Sequence, residues 1–195
     1  MITVIVTFHS EGYLAHLTLK SIQLCIEHAI SYNIPVMLHV VLDTADPLTR
    51  QTVECYDYSF VAHRVSYVDF NDVSLSRNLA ICSSETKYIA ICDGDDYYSQ
   101  NLLVASVQYL ESLSETLQLK TITHPEYMVT FGTSFTFARQ VSHSDRRPPT
   151  ALFSDNWWGV WTIARRDVYL TVPFKPHNIS SVSYTHLRAH ETRED

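Results

Sequence analysis

Three carboxylates occur within four residues in the segment Asp93, Gly94, Asp95 and Asp96, which we call the acidic turn. Like charges this close repel one another, and without a counter-ion one carboxyl group tends to keep its proton. A divalent cation removes that conflict, because Mg²⁺ and Mn²⁺ prefer oxygen ligands and are commonly held by carboxylates together with substrate phosphates. The alternative is a solvated turn that caps the following helix. The apolar run before it places the segment at a strand end, which favours a metal site.

Four further polar side chains could take part in the same chemistry. Asp43 follows an apolar run and could accept hydrogen bonds from a base or a ribose hydroxyl, although aspartate is also a common turn residue. Arg77 carries a planar guanidinium that suits phosphate or carboxylate, and it could equally neutralise the acidic turn. Thr7 and His9 lie where the first apolar run ends, although a histidine in such a loop is more often an ordinary surface residue.

Three tryptophans, Trp157, Trp158 and Trp161, are clustered in the second half of the chain. An indole face can serve as a platform for a sugar or a nucleobase, but a tryptophan cluster is also typical of a hydrophobic core. Trp157 and Trp158 are therefore candidates for an acceptor side of the site, with core packing as the alternative.

The elements that must position these residues follow from hydrophobic periodicity. Short apolar runs predict strands, and longer segments with apolar residues three or four positions apart predict helices. Their alternation is typical of an α/β fold with a mostly parallel sheet flanked by helices. Ligands bind outside the carboxyl ends of such strands, so we expect Thr7, Asp43 and the acidic turn to converge. The predicted strands are 2–7, 36–42, 63–68 and 88–92, and the predicted helices are 13–32, 46–58, 74–82 and 99–117.

The second half of the chain has a less regular pattern. Strands are predicted at 121–123, 129–131 and 134–138, a polar loop at 142–150, and a short helix at 165–170. We therefore divide the chain into an α/β half at 1–120, a partial second segment at 121–181 and a tail at 182–195.

Composition limits the classes of protein to which the chain can belong. Hydrophobic residues make up 46% of the 195 residues and charged residues 18%, which is typical of a globular protein. A net charge of −7 without a basic stripe argues against a nucleic-acid binder. No apolar run is long enough to predict a transmembrane helix. The four cysteines form no close pair, which favours buried reduced thiols of a cytosolic protein over a zinc cluster or a disulfide framework.

Four segments together resemble family 2 glycosyltransferases of the GT-A fold. They are TVIVTFH at 3–9, VLD at 41–43, SRNLA at 76–80 and ICDGDD at 91–96, in the order and at the approximate spacing of that family. The resemblance implies transfer of a sugar, with inversion, from a nucleotide-diphosphate sugar to a hydroxyl acceptor. That acceptor would be a glycan or lipid-linked glycan in surface polysaccharide synthesis. A cytoplasmic enzyme, with peripheral association at the inner face of the membrane, is a further implication.

The resemblance also implies roles on the nucleotide side of the site. Thr7, His9 and Asp43 would line the nucleotide pocket, with Asp43 facing the base. Arg77 would face the base or the phosphates.

On the metal side, the resemblance assigns the acidic turn. Asp95 would bind the Mn²⁺ or Mg²⁺ that bridges the diphosphate, and Asp93 would contact the ribose or the metal. Asp96 and Asn78 would support the site. The metal would stabilise the charge that develops on the leaving nucleoside diphosphate.

The chain departs from the family in three respects. Asp43 is followed by Thr44 rather than by another acidic residue, and His9 stands where the family often has tyrosine. No carboxylate matches the family's general base, so the catalytic base is left unassigned.

Residues 182–195 resemble translated sequencing-adapter read-through, with a native polar tail as the alternative, and we expect the fold to be incomplete at its C-terminal side.

Three functions are consistent with the sequence. The first is the metal-dependent transferase itself. The second is a nucleotide-sugar-binding fragment that lacks catalysis because its acceptor half is missing. The third is a nucleotidyltransferase with a related sheet, although the Gly-rich loop expected after its first strand is absent, since Gly12 is the only glycine in that region.

Overall fold

Six strands form one sheet at the centre of the computed structural model, and two further strands form a separate pair. The structure describes residues 1–131, 136–140 and 161–176. In chain order the strands are β1 (Ile2–Phe8), β2 (Val36–Asp43), β3 (Ala62–Val68), β4 (Tyr88–Asp93), β5 (Ile122–Thr123), β6 (Tyr127–Phe131), β7 (Thr136–Gln140) and β8 (Thr162–Arg165). The helices are α1 (Leu14–Ser31), α2 (Pro47–Glu54), α3 (Val73–Ser83), α4 (Leu102–Ser112), α5 (Glu115–Gln118) and α6 (Arg166–Thr171).

The central sheet has the strand order β3-β2-β1-β4-β8-β5. β1 pairs in parallel with β2 and β4, and β2 pairs in parallel with β3, whereas β8 runs antiparallel to both β4 and β5. Parallel neighbours need crossover connections, and α1, α2 and α3 provide them. The predicted α/β class with a mostly parallel sheet is therefore confirmed.

Both faces of the sheet are covered, which explains why its strands are continuous apolar runs in the sequence. Side chains alternate along a strand, so Val4 and Val6 of β1 belong to one hydrophobic cluster and Ile5 to another. The first cluster includes apolar residues of α1, α2 and α4, and the second includes those of α3 and α6. The strand ends are thereby held between two packed layers.

Strand positions were predicted better than helix lengths. Each of β1 to β4 lies within one residue of its predicted bounds. The predicted helix 46–58 is too long, because α2 ends at Glu54 and the chain then folds back, with the Tyr58 hydroxyl donating to the Val53 carbonyl at 3.0 Å. The predicted helix 99–117 is wrong as one element, because Leu113 and Ser114 adopt extended conformations between α4 and α5.

The chain beyond residue 120 contributes to the same sheet as its first half. β8 pairs with β4 from Tyr88↔Arg165 to Ile91↔Thr162, and β5 extends the sheet further. The division at residue 120 stays a prediction. The loop at 142–150, the tail at 182–195 and the two tryptophans Trp157 and Trp158 lie outside the described residues.

The cysteines differ in their burial. Cys25 and Cys92 are buried and free, whereas Cys55 and Cys82 are free but exposed, so the expectation of buried thiols is wrong for these two. The apolar runs around a cysteine do not show which side of the element it lies on. Within the described ranges, no helix combines the length and the apolar character needed to span a membrane.

A buried histidine predicts how stability depends on pH. His39 of β2 is 3% exposed, and its Nε2 lies 2.9 Å from Ser66 Oγ of β3. Burial lowers the pKa of His39 from 6.5 to about 4, and the nearby Arg64 adds to this effect. The unfolded chain therefore binds the proton more readily, and the folded protein loses stability as the pH falls from 6.5 towards 4.

We expect this group to remove roughly 2–3 kcal/mol from the free energy of unfolding across that interval, as measured by urea unfolding. The variant His39→Gln should flatten the pH dependence. His63→Gln, at an exposed position on β3, is the matched control and should keep it. An unchanged slope in His39→Gln would contradict this assignment.

Candidate functional site

The carboxyl ends of β1, β2 and β4 meet at one edge of the sheet. In the parallel register, Thr7 of β1 is paired with Val41 on one side and with Asp93 on the other. Asp43 ends β2 slightly further along, opposite Val68 of β3. The structure therefore brings Thr7, Asp43 and the acidic turn to the edge at which open α/β sheets bind ligands.

The acidic turn is packed tightly against the end of β1. A Cβ atom on Gly94 would lie 2.5 Å from Phe8 Cδ1 and 2.6 Å from a backbone carbonyl oxygen of β1, so only glycine fits here. The Gly94 carbonyl accepts a hydrogen bond of 2.8 Å from Thr18 Oγ1 of α1. The Tyr98 hydroxyl accepts from the Asp93 N–H at 2.7 Å and donates to the Asp93 carbonyl at 3.1 Å. These contacts hold the backbone of the turn in one position.

The three carboxylates of the turn have different partners. Asp93 forms an ion pair with the Arg77 guanidinium, and Asp96 Oδ2 accepts a hydrogen bond of 2.8 Å from Trp161 Nε1. Asp95 is exposed, and among the residues that the structure describes its carboxylate makes no hydrogen bond or ion pair. Asp95 is thus the carboxylate of this turn that is available to a ligand.

Burial and mutual repulsion make the negative charge of this cluster unfavourable. Burial raises the pKa of Asp96 to about 6; the bond from the indole opposes this, and the charges of Asp93 and Asp95 add to it. Burial also raises the pKa of Asp93 despite the opposing charge of Arg77. The pKa of Glu11, in the loop after β1, is raised by burial and further by Asp95. A bound cation would relieve this repulsion.

The side chains are not already arranged as a complete metal site. In residues 1–131, 136–140 and 161–176, no group of three or more histidine, cysteine, aspartate or glutamate side chains is close enough to hold an ion. An ion at the acidic turn would therefore need further oxygen ligands, such as those of a phosphate group.

Arg77 of α3 is enclosed by the segment 172–176, which follows α6. It is 3% exposed, and its guanidinium carbon lies 5.3 Å from the centre of the Phe174 ring. Asn78 holds this segment in place, because its Nδ2 donates to the Phe174 carbonyl at 2.7 Å and its Oδ1 accepts from the Phe174 N–H at 3.0 Å. Within the described structure, Arg77 Nε is buried without a hydrogen-bond partner. The ion pair with Asp93 therefore leaves part of the guanidinium unused.

Asp43 is only 5% exposed, and its carboxylate is surrounded by donors. Burial raises its pKa, but the hydrogen bonds that it accepts outweigh burial and lower the pKa overall. A direct contact with a nucleobase stays a prediction for this residue. The donors are the N–H groups of Phe70 at 2.9 Å, Asn71 at 2.8 Å and Asp72 at 3.0 Å, and the hydroxyls of Ser76 at 2.8 Å and Thr44 at 3.1 Å.

Thr7 and His9 border the same edge. Thr7 is 7% exposed, whereas His9 is exposed. The His9 ring is held by the carbonyl oxygen of Asp43, which lies 2.7 Å from its Nδ1. The His9 N–H donates to Glu11 Oε2 at 2.6 Å, which fixes that carboxylate in the loop after β1.

Sequence reasoning assigned no individual role to Glu11, Tyr98 or Phe174. Phe174 carries no local signal, because it lies 96 residues from Asn78 along the chain. Trp161 was noted only as a member of a cluster, yet its ring packs on Tyr98 with centroids 4.8 Å apart while its N–H reaches the acidic turn. A tyrosine just after an acidic strand end is a pattern that could have found Tyr98.

Comparison with known proteins identifies the fold. No protein-family model matches the chain, and no curated protein was found to match its sequence. The crystal structure of S. aureus TarS 1-349 in complex with UDP-GlcNAc matches with a TM-score of 0.62 at 16% identity, over 96% of this chain and 52% of that chain. The fold is of the GT-A type. The structure of TarS 1-349 without a named ligand matches with a TM-score of 0.58 at 17% identity, over 87% and 48%.

The chain spans about half the length of the TarS chains that it matches. The similarity is one of fold.

The close approach at Gly94 predicts that Gly94→Ala lowers the free energy of unfolding by about 1–3 kcal/mol, because the new methyl group overlaps Phe8. Urea unfolding followed by circular dichroism measures the loss. Ser99→Ala, at an exposed position shortly after the turn, is the control and should change stability by less than about 0.5 kcal/mol. Equal stability of Gly94→Ala and the wild-type protein would show that this packing is wrong.

The raised pKa of Asp96 predicts a second pH effect in the metal-free protein. The folded state keeps this proton up to about pH 6 and the unfolded chain releases it near 3.8, so stability falls as the pH rises through that interval. We expect Asp96→Asn, which keeps an acceptor for Trp161, to raise the free energy of unfolding at neutral pH by roughly 1–3 kcal/mol. Near pH 4 it should have little effect, because the wild-type group is then protonated when folded.

Urea unfolding with a chelator present measures this difference across the pH range. Asp167→Asn removes an exposed carboxylate on α6 and should keep the wild-type profile. If Asp96→Asn gave the same profile as the wild-type protein, Asp96 would not carry the shifted proton.

Proposed function

We propose that this chain binds the nucleoside diphosphate of a nucleotide-sugar donor, together with a divalent cation, at the carboxyl edge of β1, β2 and β4. One observation carries the proposal: a rigid acidic turn leaves Asp95 without a partner in the described structure, beside three carboxylates whose pKa values are raised. The GT-A fold supports it, and TarS, which shares that fold, is known in complex with UDP-GlcNAc.

The side chains of the turn fit Mn²⁺ or Mg²⁺. Both ions take oxygen ligands and are commonly held by one or two carboxylates together with phosphate oxygens. Asp95 would be the first protein ligand and Asp93 the second. Asp96, whose carboxylate is held by the hydrogen bond from Trp161, would support the site. When bound, the ion would stabilise the negative charge that develops on the leaving nucleoside diphosphate.

Thr7, His9 and Arg77 would lie on the nucleotide side. His9 is exposed, and its ring is oriented by the hydrogen bond between Nδ1 and a backbone carbonyl oxygen. Arg77 keeps one unbonded N–H within the described structure, and a guanidinium can bind a phosphate or a base acceptor as well as a carboxylate. Asn78 would act indirectly, by holding the segment 172–176 against Arg77.

The reaction that we propose is transfer of the sugar to a hydroxyl group of a glycan or lipid-linked glycan, with inversion, in surface polysaccharide synthesis. Such a transfer needs a base that removes the proton of the attacking hydroxyl. We assign none: Asp167 is engaged by Arg165 at 2.7 Å, and Asp155 lies outside the described residues. Trp157 and Trp158 stay candidates for the acceptor side, and a cytoplasmic location at the inner face of the membrane belongs to the same proposal.

Donor binding without turnover is the second candidate function. The observation that favours it is that no catalytic base is assigned among the described residues, where Asp167 is engaged by Arg165. Incubation with UDP-sugars and GDP-sugars, with and without added glycan acceptors, separates the two functions, because only the transferase releases the nucleoside diphosphate.

Calorimetric titration tests the donor site. We expect UDP or GDP to bind the wild-type protein only in the presence of Mn²⁺ or Mg²⁺. Asp95→Ala should weaken this binding at least about 10-fold, because the ion loses a carboxylate ligand. Glu85→Ala is the matched control, since it removes an exposed carboxylate before β4, at the opposite edge of the sheet, and should bind as the wild-type protein does.

Different results of this titration would overturn the donor site and the metal assignment. A folded wild-type protein that binds neither nucleotide under any condition would overturn the donor site. Unchanged affinity in Asp95→Ala would overturn the metal assignment alone.

A further inference from the structure

We propose that Asp43 is a positioning residue, which builds the donor site by holding α3 in place rather than by touching the nucleobase. The inference rests on the proposed function, because it concerns the same edge of the sheet. It replaces the sequence-based expectation that Asp43 faces the base.

The carboxylate of Asp43 has no capacity left for a ligand. Two carboxylate oxygens offer about four lone-pair positions. Here they accept four hydrogen bonds, three from backbone N–H groups and one from the Ser76 hydroxyl, and the residue is 5% exposed. The Thr44 hydroxyl lies 3.1 Å both from Asp43 Oδ1 and from Asp69 Oδ1, and its single proton can be donated to one of them at a time. A base N–H that approached this carboxylate would displace one of these donors and leave it unsatisfied, which is unfavourable.

The three backbone donors come from the loop between β3 and α3. The N–H groups of Phe70 and Asn71 reach Oδ1 of Asp43 at 2.9 and 2.8 Å, and that of Asp72 reaches Oδ2 at 3.0 Å. Consecutive N–H groups that turn towards one anion form a backbone nest. Asn71 has a φ of 49°, in the left-handed region that asparagine tolerates. The carboxylate therefore stabilises this conformation of the loop.

The same carboxylate also sets the position of α3. Asp72, whose N–H it binds, is the N-cap residue of that helix. Ser76, one turn into the helix, donates its hydroxyl to Oδ2 of Asp43 at 2.8 Å. Arg77 follows Ser76 directly and pairs with Asp93 of the acidic turn. Loss of the Asp43 carboxylate should therefore move Arg77 away from Asp93.

Asp43 also reaches the loop after β1. Its carbonyl oxygen lies 2.7 Å from His9 Nδ1, so the proton of the neutral imidazole is placed on that nitrogen. Side chain and backbone of this one residue thus connect the β1 loop, the loop before α3 and α3 itself. A base-binding role would not require these connections, whereas a positioning role does.

Amide hydrogen exchange tests the positioning role. In the wild-type protein we expect the amides of Phe70, Asn71 and Asp72 to be protected, although they lie outside any helix or strand. Asp43→Asn keeps the shape of the side chain but replaces one acceptor oxygen by a donor, so these amides should exchange at least about 10-fold faster. Asp69→Asn, the same substitution at an exposed residue of the same loop, is the matched control and should leave them protected.

Ligands with and without a base separate positioning from base contact. With Mn²⁺ present, UDP, GDP and inorganic pyrophosphate are titrated into the wild-type protein, Asp43→Asn and Asp69→Asn. If Asp43 acts through Arg77 and the acidic turn, all three ligands lose affinity for Asp43→Asn by a similar factor. A loss confined to UDP and GDP, with pyrophosphate binding unchanged, would show that Asp43 contacts the base and would overturn the inference.

Hydrogen exchange keeps this inference distinguishable from the proposed function. Wild-type protein that binds none of the three ligands would end the proposed donor site, yet protection of the loop amides would still support the role of Asp43 in the fold. Unprotected amides at 70–72 in the wild-type protein would overturn that role even if Asp43→Asn does not fold. Unchanged exchange in a folded Asp43→Asn protein would overturn it as well.

Discussion

All seven residues of β1 are buried, and the strand pairs in parallel with β2 on one side and with β4 on the other. Apolar packing on both faces stabilises this arrangement, at roughly 25 cal/mol for each Å² of apolar surface removed from water. Because the three strands run in one direction, the residues that follow them become neighbours although they are far apart in the chain. The candidate site therefore depends first on the pairing of β1 with β2 and β4, because this pairing brings the ends of the strands together.

The acidic turn combines a rigid backbone with charge that is only partly neutralised. Gly94 and Tyr98 hold the backbone against β1, so the carboxylates cannot separate by moving the chain. Arg77 compensates Asp93, but Asp96 meets a neutral indole N–H rather than a cation. The cation that we propose for this turn would relieve the repulsion. The second half of the chain takes part in this arrangement, since it provides the indole and the cover over Arg77.

Much of the fold could be predicted because its signals are local. β1 to β4 are apolar runs whose bounds follow from a few neighbouring residues, and their order with the helices between them predicts a parallel sheet. The break between α4 and α5 has a weaker local signal, in that Ser114 is a favoured N-cap residue followed by Glu115, and the apolar periodicity that runs through it conceals that signal. The end of α2 depends on how Tyr58 packs back on that helix.

The sequence by itself determined which polar residues follow the strands, and therefore that carboxylates of the acidic turn and Asp43 reach one edge. Only the tertiary structure decided which of these carboxylates is available. Asp96 meets a tryptophan 65 residues away in the chain, and Asp93 meets an arginine 16 residues away, while Asp95 meets neither. The backbone donors to Asp43 come from a loop 27 to 29 residues further along, and the Ser76 hydroxyl comes from α3, 33 residues away. Hydrogen bonds and burial between distant segments depend on how helices and loops pack, and no local pattern of residue types contains that information.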